Sequence, residues 1–116
     1  ELINGTRTGA QAYTDFQGLI AALQGTAWDD GTLLINAVIE YPSHPHLAEV
    51  VAFNNLLRAG TAAGYTVIDQ STDPDLTVSD PARVWTSGIW VGHNTSYGNS
   101  FRAAFMTPYI NSVLLQ

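Results

Sequence analysis

Apolar residues recur at spacings of three and four from Ala10 to Gln24, where Tyr13, Phe16, Leu19, Ile20 and Leu23 form one stripe. That period predicts an amphipathic helix over 10–24, ended by Gly25 at the usual left-handed exit position. Gly18 interrupts it at a cost of about 1 kcal/mol relative to alanine, so the reading expects a close neighbour there. Trp28-Asp29-Asp30-Gly31 follows as a turn. The pattern then changes. Thr32 to Tyr41 is almost continuously apolar, rich in Leu, Ile and Val, and closed by Pro42, which predicts a strand buried on both faces.

A second helix is predicted near 45–59. Ser43 is a candidate N-cap and Pro45 suits the first turn. Leu47, Val50, Val51, Asn54 and Leu57 share one face, widened by Phe53 and Leu56, and Gly60 and Gly64 mark the exit. Tyr65 to Asp69 reads as a second strand. A helix joining two strands of one sheet makes a parallel crossover, expected to be right-handed. Residues 70–82 contain two Asp-Pro pairs and read as a surface loop, with a short edge strand at Leu76-Thr77-Val78. Val84 to Val91 is β-rich, with Gly88 marking a bulge or close contact. The polar loop Gly92 to Ser100 leads into a helix near 100–115, capped at Asn99 or Ser100, which Pro108 should kink or split.

These elements predict one domain over 1–116 of the α/β or α+β class. It would be a small sandwich whose mixed sheet has three or four strands, near 32–41, 65–69 and 84–91, with one parallel β-α-β unit. Residues 1–9 read as irregular. A hydrophobic fraction of 46% is enough for a core without staples, and there is no cysteine for disulfides, thiolate chemistry or a Cys-type zinc site.

Charge narrows the function classes. The chain has no lysine, only Arg7, Arg58, Arg83 and Arg102 as fixed cations, and ten carboxylates giving a net charge of −6. It lacks the cations needed to neutralise a phosphate backbone, which argues against nucleic acid and against anionic membrane surfaces. No apolar stretch is long enough to predict a membrane span. The opening segment lacks the features of a signal peptide, and without an initiator Met it is compatible with a processed end. Solubility therefore rests on hydroxyls and amides. Such a composition suits secreted or particle-coat proteins and places the chain outside the cell or on a virion or cell surface. The sequons at Asn4 and Asn94 are of the kind expected by chance in a Thr-rich chain.

Candidate chemistry converges on strand ends. If all three strands run parallel, their carboxyl ends bring Glu40 to His46, Asp69 to Ser71 and Gly92 to Ser96 to one rim, where ligands bind in open α/β sheets. His44, His46, Glu49 and His93 are the candidate metal ligands, with Glu40 or Asp69 able to complete the shell. Imidazole with carboxylate suits a divalent transition metal such as zinc. Asp69, Asn94 and Trp90 are candidate ligand-binding residues. The competing account is a helix start with solvent-facing histidines. The loop Gly92–Ser100 could hold an anion through its backbone N–H groups, but no lysine follows as in a P-loop. Ser43, Ser87 and Ser96 lack the G-x-S-x-G elbow of a nucleophilic serine.

Tyr41-Pro42-Ser43 and Arg83 bear a local resemblance to the vanadium haloperoxidase and acid phosphatase superfamily, which carries a Tyr-Pro-Ser-Gly-His turn. His44 and Pro45 stand in its Gly-His positions, Trp90 in that of its second His, and its upstream Lys and Arg anion ligands have no counterpart. That family is also all-helical and much longer. None of its function is carried over.

The expected function is therefore a non-enzymatic structural or interaction protein. A subunit of a virion, tail or extracellular assembly fits best, without a cofactor, with protein partners and with self-association into a homo-oligomer. The late aromatics Trp85, Trp90, Tyr97, Phe101, Phe105 and Tyr109 are candidate interface residues. The alternative is a small metal-dependent hydrolase or metal-binding module built on His44-Pro45-His46.

Overall fold

The structure is a computed structural model that describes residues 5–24, 26, 33–40, 44–60, 64–73 and 95–114. Among these, α1 (Gly9–Leu23), β1 (Leu33–Asn36), α2 (Leu47–Ala59), β2 (Tyr65–Ile68), a 3-10 turn (Gln70–Thr72) and α3 (Ser96–Leu114) follow in order. β1 and β2 pair as a two-stranded parallel sheet with α2 between them in sequence. The protein is thus a mixed helix and strand fold with the expected β-α-β unit. Among the described residues the sheet has two strands. The expected strands at 84–91 and 76–78 lie outside the described residues, so a sheet of three or four strands is not observed.

By contacts the chain divides into two compact units, Glu1–Ile35 with Pro45–Val67 and Asn36–His44 with Ile68–Gln116. In the first, α1 packs on α2. Ile20, Leu57 and Tyr65 are buried at its centre, surrounded by Tyr13, Phe16, Leu33, Ile35, Phe53 and Val67. These are the residues of the α1 stripe and the α2 face, joined by alternating strand positions, so a 3.6-residue period and a 2-residue period meet in one core. Phe16 organises the aromatics. It meets Tyr65 edge-on at 5.2 Å and Phe53 at 6.4 Å, the arrangement the ring quadrupoles favour. Asn54, on the same α2 face, is fully buried with Val50 and Leu57.

Helix starts differ from expectation. α1 begins with a full capping box, which the irregular reading of residues 1–9 missed. Gln11 N–H donates to Thr8 Oγ1 at 3.2 Å, and Thr8 N–H to Gln11 Oε1 at 2.9 Å. α2 begins at Leu47 rather than within Pro45-His46. The His46 carbonyl accepts its first bonds from Glu49 N–H and Val50 N–H, at 3.1 and 3.2 Å, while the imidazole makes no cap. Proline, with no N–H to give, stands just ahead of the helix. α3 starts four residues earlier than expected. Thr95 caps it in place of Asn99 or Ser100, its Oγ1 accepting from Gly98 N–H at 3.1 Å.

α3 runs through Pro108 as one helix, so of the expected kink or split the split does not occur. The carbonyl deprived of its partner belongs to Ala104, which is exposed along with Pro108, so water can satisfy it. Gly18 has no close neighbour: a Cβ there would meet nothing within 4 Å. The close approach is at Gly9 instead, where a Cβ would stand 2.5 Å from the Glu49 carbonyl oxygen and 2.7 Å from Phe53 N. α1 therefore starts directly against the α2 backbone. Glu49 reinforces the junction, its Oε2 accepting from Gly9 N–H at 2.6 Å.

Candidate functional site at the strand ends

The second unit contains the carboxyl ends of both strands. Pairing continues past β1, where Ala37 N–H donates to the Ile68 carbonyl at 3.0 Å. The chain leaving β2 turns at once into the 3-10 segment, because Thr72 N–H and Thr72 Oγ1 both donate to the Asp69 carbonyl, at 3.1 and 2.7 Å. Asp69 Oδ1 also accepts from Ser71 Oγ. This self-bonded turn fixes Gln70, whose side chain points inward and is fully buried.

Gln70 is the centre of the site. Its Nε2 donates to Asn36 Oδ1 at 2.9 Å, and its Oε1 accepts from Arg102 Nε at 2.8 Å. One buried amide thereby ties the end of β1, the turn after β2 and the second turn of α3. An interior amide must have its donors and acceptor used, and a bond to a guanidinium is stronger than one between neutral groups. Arg102 is the one charged residue of the segment 95–116. A network of this kind orients and rigidifies. It contains neither a nucleophile with an adjacent base nor paired carboxylates.

Of the residues expected to carry chemistry, Asp69 lies at the β2 end, with its carboxylate bonded within the turn. Glu40 follows β1 in the second unit, half-buried. His44 belongs to the second unit and is half-buried. His46 and Glu49 belong to the first unit. There the His46 ring lies against the Gly5 backbone, where a Cβ would stand 2.5 Å from its Cε1, and Gly5 adopts φ +66°, open chiefly to glycine. Glu49 serves the start of α1. His93, Asn94 and Trp90 lie outside the described residues. Among the described residues no group of three or more histidine or carboxylate side chains is placed to hold a metal.

Asn36, Gln70 and Arg102 were missed from sequence. Each left a trace. Asn36 is an amide inside the apolar run, Gln70 directly follows the second strand, and Arg102 is an isolated cation on an otherwise uncharged helix.

Comparison with family models, with curated proteins and with solved structures gave no match to this chain.

Proposed function

We propose that this chain is a non-enzymatic structural or interaction protein, a subunit of a virion, tail or extracellular surface assembly, acting by self-association or by docking an assembly partner. The observation that carries this reading is the surface of α3. Ile110 and Leu114 are 39% and 74% exposed, one helical turn apart. Phe105 and Tyr109 stack beside them at 5.9 Å, both half-buried. The helix's one charge, Arg102, bonds to Gln70. A helix whose outer side is solvated for its own sake carries charged residues there; this one offers apolar and aromatic area with no charge to desolvate, the composition of an interface centre. The same reading extends the sheet to three or four strands with 84–91. It also puts the protein outside the cell or on a particle surface, in keeping with the lysine-free, amide- and hydroxyl-rich composition. No helix among the described residues is long and apolar enough to cross a membrane.

Light scattering coupled to size exclusion tests the proposal. Dimers or larger species are expected, reverting to monomer in an Ile110→Asp, Leu114→Asp double variant with unchanged circular dichroism. A monodisperse monomer across the micromolar range that also fails to bind any co-expressed neighbour would sink it.

A further inference from the structure

The first unit contains an open cleft of about 480 Å³, within the range of small-molecule sites. Its apolar lining comes from Tyr13, Phe16, Ile20 and Tyr65, and its polar edge from Gln17 and Gln24. We propose that this cleft binds a neutral, hydroxyl-rich ring ligand, namely a sugar of one or two residues. This function is independent of the assembly surface on α3.

Three features specify that chemistry. The aromatic surface is fixed in advance. Phe16 is held edge-on by Tyr65 and Phe53 and lies 6.0 Å from Tyr13. Tyr65 is anchored by its hydroxyl, which donates to the Leu57 carbonyl at 3.1 Å and lies 3.4 Å from the Tyr13 hydroxyl. Tyr65 is itself buried, so the ring surface left to a ligand is that of the half-buried Tyr13 and Phe16, which these contacts hold in place without ordering cost on binding. Next, Gln17 and Gln24 are exposed and stand seven residues apart, Gln17 on α1 and Gln24 at its C-cap. That is two turns, so both lie on one face about 10 Å apart, near the length of two linked pyranose rings. Each amide gives two donors and an acceptor, which matches vicinal hydroxyls. Finally, none of the lining residues is ionisable near neutrality. A charged ligand would lose hydration there with no counter-charge to replace it, which selects against uronic or amino sugars.

Titration of the ¹⁵N-labelled full chain with cellobiose, lactose and N,N′-diacetylchitobiose, followed by amide chemical shifts, tests the assignment. Saturable shifts are expected for at least one of them, with a dissociation constant on the order of 1 mM, at Gln17, Ala21, Gln24 and Gly64. Gln17→Ala and Gln24→Ala alter exposed side chains, so the fold should survive. Each should weaken binding about tenfold, equivalent to about 1.4 kcal/mol. Ala21→Phe, which fills the cleft mouth, should abolish it. The inference is overturned by an absence of saturable shifts with all three sugars, by shifts confined to residues away from the cleft, or by affinity unchanged in the two glutamine variants. Glucuronate binding as tightly as the neutral sugars would also overturn it.

Discussion

The bonds around Gln70 allow a quantitative test of what holds the second unit together. Gln70 is fully buried, whereas Asn36 is exposed and Arg102 half-buried. Cutting the network at different points should therefore have unequal consequences. Arg102→Met leaves Gln70 Oε1 in the interior without its guanidinium donor, and an interior acceptor stripped of its partner costs about 1–3 kcal/mol. Gln70→Leu removes the buried amide itself. It loses one neutral bond and one charge-assisted bond, together about 2–4 kcal/mol, but gains apolar burial and lets Asn36 return to water, so the net should be about 2 kcal/mol. Once the amide is gone the arginine has little left to satisfy. The double variant should lie about 2–3 kcal/mol below the parent rather than about 4, a coupling of about 1–2 kcal/mol. Urea denaturation followed by circular dichroism gives all four stabilities, provided the slopes agree among the variants. Additivity within about 0.3 kcal/mol would refute the reasoning. It would mean that the guanidinium–amide contact contributes nothing and that the turn holds Gln70 unaided.

Two further outcomes follow from the first unit. Gly18→Ala should stabilise the protein by up to about 1 kcal/mol, since the added methyl meets open space and improves helix propensity. Gly9→Ala should destabilise by about 1–3 kcal/mol or more, because the methyl meets the α2 backbone, which cannot rotate away. Paired thermal melts check both, and an equal effect of the two substitutions would contradict the α1–α2 packing. Tyr65 supplies the pH prediction. Burial, the hydrogen bond with Tyr13 and the charge interaction with Tyr13 all raise its phenol above the ordinary tyrosine value of 10.0. The folded state therefore holds this proton more tightly than the unfolded chain. The resulting stabilisation is complete below about pH 10 and is lost as pH rises from there toward the raised folded value. Urea midpoints measured from pH 8 to 11 should decline above pH 10, less steeply in Tyr65→Phe, and identical slopes would count against it.

Much of the secondary structure was legible because it depends on local period and composition. The stripe from Tyr13 to Leu23 and the face from Leu47 to Leu57 each repeat at the helical spacing. The apolar run before Pro42 and the short run Tyr65–Ile68 have strand length and β-branched content. Those features are encoded within a few residues, and α1, α2, β1 and β2 appear within about two residues of the expected helix bounds or inside the expected strands.

Helix ends were less legible, because several nearby residues could cap and the choice depends on which backbone N–H groups come within reach. Thr95 rather than Asn99 caps α3 for that reason. Gly9 and Gly18 look alike in sequence, yet only one touches another helix. Three-dimensional placement also set Glu49 against the start of α1 and His46 against Gly5. It gathered Asn36, Gln70 and Arg102, which are 32 and 34 positions from one another along the chain. Hydrophobic periodicity is a property of neighbours along the chain, and the sequence determined α1, α2 and the paired strands through it. Partnership between polar side chains depends on which backbones meet after collapse. The strand end is occupied by a buried amide network because the parallel pairing of β1 with β2 and the turn at Asp69 bring Gln70 to it, and only the tertiary structure decides that.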